Sequence, residues 1–231
     1  MGAKRRANWW ALLFAIPAAF VVYALVPYVG FNPEKSRIPL PQDIREYYPM
    51  LVMHVMFASI AMLTACAQIW PWFRRRYPAA HRILGRVYVF GGVIPAGVAG
   101  MFIGAVGPFG PVLRASDILL AVLWLSFAIT GFVSGYQRRY GNHRRWMIRS
   151  VALTFSIITN RIWGVVLTLA FAPLLPTLFG GSEVAMVQAI AGLSGWLGWI
   201  LPLLFVEWWL VERSGTPTMQ RAQALESAIK I

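Results

Sequence analysis

Two short segments of this chain carry a histidine among clustered arginines, and we call them the first and second hinge. They read RRRYPAAHRILGRVY at 74–88 and RRYGNHRRWMIR at 138–149. With one or two residues of slippage, an Arg-Arg-Tyr triplet precedes His81 in one and His143 in the other. A neutral imidazole can ligate a metal and can exchange a proton near neutral pH. Two histidines at matched places are therefore the first candidates for chemistry.

A second set of polar residues lies inside apolar runs of the chain. His54 precedes Arg75 by 21 residues, and Asp117 precedes Arg138 by 21 residues, so the two occupy equivalent heights. An ionisable side chain within a membrane span is costly unless it is paired or hydrated. We therefore predict one intramembrane polar cluster in the outer half of the membrane, made of His54, Asp117, Asn160 and Arg161.

Composition places the chain in a membrane. Of 231 residues, 58% are hydrophobic and only 13% are charged, whereas soluble globular domains are about one quarter charged. The net charge of +13 comes from arginines between apolar runs, a pattern that reflects the orientation of membrane spans. It indicates anionic lipid, and not nucleic acid, as the partner of these charges. The single cysteine, Cys66, lies within an apolar run and excludes a disulfide framework.

Hydrophobic runs predict an all-α integral membrane protein with a single six-helix domain over residues 1–213 and a tail over 214–231. The six spans are expected at about 9–29, 50–73, 87–112, 115–136, 151–171 and 184–211. The first run lacks a small-residue cleavage site and is read as a retained helix. Four prolines break the polar loop at 30–49. The tail has apolar residues at helical spacing, so a surface amphipathic helix and disorder both stay open.

The distribution of basic residues predicts the orientation of the spans. Both hinges and the N-terminal Lys4, Arg5 and Arg6 fall on one side, which the positive-inside rule assigns to the cytoplasm. Both termini are then expected on the cytoplasmic side. The repeated hinge predicts a core of two duplicated helical hairpins, made of spans 2–3 and spans 4–5.

Three motifs stand out between the second and the sixth span: R-x-P-x-x-H-R-x-L-G-R-x-Y from Arg76 to Tyr88, H-R-R-W-M-I-R-S from His143 to Ser150, and Val206-Glu207-Trp208. Together with a histidine in span two and an arginine in span five, they resemble the bacterial predicted membrane proteins catalogued as domain of unknown function 2306. The resemblance covers about residues 50–212. It implies the same topology, in a bacterial inner membrane, and implies no particular activity.

Our first functional hypothesis is redox. If spans 2–5 form a four-helix bundle, His81 and His143 could face each other across its axis as the two ligands of a haem b. Nearby arginines would then neutralise the propionates: Arg82, Arg86, Arg144 and Arg149. The plan is similar to that of the ascorbate-reducible b-type cytochromes of membranes. Asp117 stands where a histidine partner for His54 would be, so one such haem is the maximum.

Two other hypotheses stay open. His54, Asp117 and Arg161 could form a small transporter or a proton relay. Alternatively the hinge arginines hold lipid phosphates, Asp117 pairs with Arg161, and the protein organises lipid or an assembly without catalysis. The absence of HExxH, Walker A and Gly-x-Ser-x-Gly motifs sets aside several familiar chemistries. Whether the protein is an enzyme is left undecided. A homo-oligomer or a partner subunit is compatible with each reading.

Overall fold

A computed structural model describes the backbone of residues 2–229 and the side chains of residues 11–212. Over the described backbone the chain is helical and contains no β-strand. Within that part of the chain, six helical segments are long and apolar enough to cross a membrane. The predicted all-α architecture with six spans is therefore confirmed. The predicted amphipathic face of the tail involves side chains outside the described residues.

The chain is built from nine α-helices over residues 2–229, interrupted by short 3₁₀ turns and one π-helical segment. The bounds are α1 Gly2–Leu25, α2 Tyr47–Ile69, α3 Pro71–Arg76, α4 Pro78–Tyr88, α5 Ile94–Ala105, α6 Pro111–Tyr136, α7 Tyr140–Phe171, α8 Leu175–Leu178 and α9 Glu183–Ile229. The π-helical segment, Val89–Val93, joins α4 to α5 so that the two continue as one span, Pro78–Ala105.

Two helices begin earlier than the predicted spans. The helix of the third span begins at Pro78, ahead of the predicted start near residue 87, and that of the fifth begins at Tyr140, ahead of the predicted start near 151. Pro78 suits a first helical position, where its missing N–H is not needed. Arginine side chains can extend from a helix to the aqueous interface. A basic first turn therefore does not prevent the helix from starting there. His81 and His143 consequently lie within helices.

The two hinges have different connections. The first contains the short helix α3 between α2 and α4. The second is a tight turn in which Arg138 adopts a left-handed conformation with φ 60°, and the N–H of Arg139 donates to the carbonyl of Ser134. The hinges therefore resemble each other at the start of the following helix and differ in the turn before it.

Glycines set the spacing between the central helices. A Cβ on Gly92 would lie 2.9 Å from the Cα of Ala61 in α2. A Cβ on Gly97 would meet Leu125 of α6. Lipid tails are as apolar as leucine, so helices associate in membranes largely through close packing, which small residues allow. The third span is thus held between α2 and α6.

The remaining helices complete the bundle around α6. Helix α7 packs antiparallel to α6, with Met147 against Gly131, and α9 packs along both. Trp199 of α9 donates its indole N–H to the buried hydroxyl of Ser116 at 3.0 Å. Helix α1 lies at the edge of the bundle against α2. The core therefore sits between α2, the third span, α6, α7 and α9.

We predict opposite effects of alanine at the two neighbouring glycines of the π-helical segment. Gly92→Ala should lower the free energy of unfolding by about 1–2 kcal/mol, because its methyl group meets backbone that cannot move aside. In Gly91→Ala the nearest atom outside the local backbone is 3.6 Å away. That variant should be neutral or stabilised by up to about 1 kcal/mol. Thermal unfolding in detergent measures both, and equal stabilities would contradict the close contact.

Candidate functional site

A buried hydrogen-bond network fixes the register between α4 and α7. The hydroxyl of Tyr88, at the end of α4, lies 2.7 Å from the hydroxyl of Ser150 and 2.8 Å from that of Thr154. Trp124 of α6 donates its indole N–H to Thr154 at 3.0 Å, and Thr154 donates to the carbonyl of Ser150. All four side chains are buried. Three spans are thereby locked at one height.

The same register places the two hinge histidines at one level of the bundle. His81 precedes Tyr88 by seven residues, and His143 precedes Ser150 by seven. Seven residues are about two helical turns, so each histidine lies on the same face of its helix as the hydrogen-bonded residue. Both spans begin at the hinge end and run in parallel. The structure therefore places His81 and His143 at the same level of two parallel helices.

Each histidine also occupies the same place in its helix. His81 is the fourth residue of α4, and His143 is the fourth residue of α7. The backbone N–H of His81 donates to the carbonyl of Tyr77, and that of His143 donates to the carbonyl of Arg139. These carbonyls belong to the cap residues, so both imidazoles project from the first closed turn.

The ring nitrogens of the two histidines have different environments. His143 Nδ1 lies 2.8 Å from the carbonyl oxygen of Gly131, and Gly135 leaves room for the ring. A carbonyl only accepts, so Nδ1 carries the proton and, in the neutral ring, Nε2 keeps its lone pair. His81 Nδ1 is buried and has no hydrogen-bond partner among the described residues. The site therefore offers one free lone pair and one unsatisfied buried nitrogen.

The arginines predicted to accompany the histidines divide into two groups. Arg82, Arg86 and Arg144 are exposed, and the Arg144 guanidinium lies 5.8 Å from the ring centre of Trp209. Arg149 instead forms an ion pair with Glu207 of α9, with a second contact of 2.7 Å between Nη2 and Oε2. Its charge is therefore already matched within the chain.

The four residues of the predicted intramembrane cluster do not form one hydrogen-bonded group. His54 Nδ1 donates to the carbonyl of Ala96 at 2.8 Å. Asp117 packs against Gly104 of α5, and Asn160 packs against Gly198 of α9. Arg161 is exposed. Within residues 11–212, no hydrogen bond or ion pair joins any two of the four. The cluster predicted from sequence spacing is therefore divided among different helix faces.

The buried hydroxyl network is the feature that sequence reasoning missed. Tyr88 and Ser150 lie within the hinge motifs, but Trp124 and Thr154 belong to apolar runs. The available signal was Ser150 and Thr154, two hydroxyl residues four apart on one face of α7. Such residues in membrane helices hydrogen-bond either to their own backbone or across helices. The positions of the neighbouring helices are needed to decide between these two kinds of hydrogen bond.

A comparison with protein-family models places these elements in one family. The model described as "Predicted membrane protein (DUF2306)" matches residues 51–210. The chain belongs to this family. No curated protein and no solved structure matches the chain. The DUF2306 match includes both hinges, the hydroxyl network and the Arg149–Glu207 pair, and it leaves α1 outside.

Two further features of this DUF2306 protein bear on ligands. In the described part of the chain, no three side chains of the types His, Cys, Asp and Glu converge on a possible metal position. An open recess of about 510 Å³ lies at the corner between α2 and α3. It is lined by Trp70, Pro71, Trp72, Arg75 and Arg76. Aromatic and basic residues of this kind are typical of a headgroup-level surface.

We predict that the Tyr88 hydroxyl stabilises the fold. Tyr88→Phe leaves the buried Ser150 hydroxyl short of a partner and should lower the free energy of unfolding by about 1–2 kcal/mol. Tyr136→Phe is the control, because Tyr136 is 84% exposed and its loss should change stability by less than about 0.5 kcal/mol. Equal unfolding temperatures of the two variants would show that the network does not set the register.

Proposed function

We propose that this protein is a membrane-embedded redox protein in which His81 and His143 hold one haem b. The observation that carries the proposal is the shared register of α4 and α7. The Tyr88–Ser150 hydrogen bond lies two turns above both histidines, which therefore project from matched positions of two parallel spans. A pair of opposed imidazoles is a ligand set of low-spin haem iron, and the bound haem would supply one-electron chemistry.

The environment of each imidazole fits this role. Histidines that bind a metal almost always donate their other N–H to a carbonyl or a carboxylate. His143 does so to Gly131, which fixes its ring and leaves Nε2 for the iron. The buried nitrogen of His81 lacks a partner among described residues, and a ligand between the two helices gives that ring a function.

The charges around the histidines fit an anionic cofactor. Haem b carries two propionates, and arginine pairs well with carboxylates. Arg82, Arg86 and Arg144 remain available for them, whereas Arg149 is paired with Glu207. His54 has Asp117 rather than a histidine on α6, so the proposal includes one haem and no second one.

We also propose the finer topology and lipid contacts on the same grounds. The Arg-rich hinge end faces the cytoplasm of a bacterial inner membrane, with both termini on that side, as the positive-inside rule favours. The equivalent places of His81 and His143 support an origin of the two hairpins by duplication. Anionic lipid headgroups would bind the hinge arginines, including those of the recess at α2–α3.

The other hypotheses gain less support from the geometry. A proton relay needs hydrogen-bond contact, directly or through water, between its members. His54, Asp117 and Arg161 point to different neighbours, so direct contact among them is absent from residues 11–212. A role in organising lipid or an assembly without redox chemistry predicts a colourless protein. That property makes the two readings easy to separate.

We predict that protein purified from haem-replete cells is red, with a Soret band. His81→Ala and His143→Ala should each lose the haem, or bind it at least about tenfold more weakly, because each removes an iron ligand. Absorption spectra of the oxidised and reduced protein, with haem quantified against protein, measure this.

His54→Ala is the matched control, since His54 also donates from Nδ1 to a backbone carbonyl at 2.8 Å. Its Soret band should be retained at full stoichiometry. Colourless wild-type protein from haem-replete cells would exclude the proposal. A Soret band that persists in both hinge variants would show that other residues hold the haem.

A further inference from the structure

Arg161 is a charged side chain inside a predicted membrane span, and no described residue supplies it with a counter-charge. It lies in α7, is exposed, and makes no hydrogen bond or ion pair with any described residue. It follows Arg149 by 12 residues, which is about 18 Å along the helix. Arg149 and Trp146 mark the hinge end of the span, and the hydrocarbon core is about 30 Å thick. Arg161 therefore lies beyond the midplane and well inside the hydrocarbon.

The carboxylate at the same height in this chain is turned away from it. Antiparallel packing places Met147 beside Gly131 and Thr154 beside Trp124. The same register continued by two turns places Arg161 at the height of Asp117. Asp117, however, packs against Gly104 of α5 on another side of α6. Among the described residues, no carboxylate is therefore placed to pair with Arg161.

The surface next to Arg161 is shaped for another helix. A Cβ on Gly164 would meet nothing within 4 Å, whereas Gly92, Gly104 and Gly198 each contact a neighbouring helix. Thr168 follows four residues later, and its hydroxyl is satisfied by the carbonyl of Gly164. Small residues four apart let helix backbones approach closely. We call the surface formed by Arg161, Gly164, Val165 and Thr168 the α7 face.

We propose that the α7 face docks a transmembrane helix of a different membrane protein, which presents a carboxylate to Arg161. A cation exposed at this depth is costly, and pairing with an anionic side chain relieves that cost. The Gly164–Thr168 stripe lets the partner backbone come close enough for a short contact. The inference goes beyond the redox proposal and does not depend on it.

Two other occupants fit the α7 face less well. A second copy bound through the same face around a two-fold axis would place one Arg161 near the other, and like charges repel in a low-dielectric medium. Lipid phosphates lie about 12 Å further out, at the edge of the hydrocarbon. At that distance the guanidinium reaches a phosphate only by snorkelling combined with local thinning of the bilayer, which is itself costly. A carboxylate at mid-membrane depth matches Arg161 directly.

A designed helix provides the test. The full chain, labelled with a donor dye, is reconstituted in phosphatidylcholine vesicles with an acceptor-labelled polyleucine helix that carries an Ala-x-x-x-Ala stripe and one mid-span Glu. A sister helix carries Gln instead. Energy transfer should show about tenfold tighter association of the Glu helix than of the Gln helix. Arg161→Gln should abolish the preference, and Arg161→Lys should keep most of it.

Two variants separate close approach from charge. Gly164→Leu fills open space and should weaken association of both helices, because the backbones can no longer approach. Val98→Leu is the control, since Val98 is exposed on α5, away from α7, and should leave both affinities unchanged. Unfolding temperatures equal to wild type confirm that each variant is folded.

Three outcomes would overturn the proposal. The first is equal affinity of wild-type protein for the Glu and Gln helices. The second is energy transfer between two labelled copies of this chain that disappears in Arg161→Gln, which would assign the face to a second copy. The third is an anionic lipid retained in native mass spectrometry by wild-type protein and lost in Arg161→Gln, which would assign the charge to a phosphate.

Discussion

The contact on which the rest of this structure depends is the hydrogen bond between Tyr88 and Ser150. It joins the third and fifth spans at a single height, and Thr154 and Trp124 extend it to the fourth. In a bilayer the hydrophobic effect does not bring helices together, so packing and interhelical hydrogen bonds fix their relative height. A slip of one turn would separate these hydroxyl groups in a medium without water. The same contact fixes the relative height of His81 and His143, which lie two turns closer to the hinge end.

Glycines give the helices the closeness that such short contacts require. Gly131 and Gly135 of α6 leave space for the side chains of Met147 and His143. Gly100 of α5 leaves space for the ring of His54 in the same way. In both cases the imidazole donates to a carbonyl one turn before the glycine, that of Gly131 or Ala96. Because glycine has no side chain, the imidazole can reach the backbone carbonyl one turn earlier. His54 and His143, in different spans, are oriented by this same arrangement.

Polar groups inside the spans are satisfied within the chain at some places and left without a described partner at others. Hydroxyl and indole groups satisfy one another in the core. Arg149 and Glu207 cancel their charges near the hinge end, where Trp146 also contacts the arginine. The partners of His81 and Arg161 are not found among the described side chains. Ligands or other proteins are expected where a chain leaves its own polar groups unsatisfied, and these two residues are the basis of the two proposals made above.

The sequence by itself determined the membrane class, the six spans and the matched places of His81 and His143. Those features follow from local composition and spacing, which one chain carries in full. Only the tertiary structure decided that Arg149 pairs with Glu207, and that His54, Asp117 and Arg161 face different neighbours. Sequence spacing fixes the depth of a residue in a bilayer, whereas its partners depend on the rotation of each helix. That rotation is set by glycine contacts with other helices.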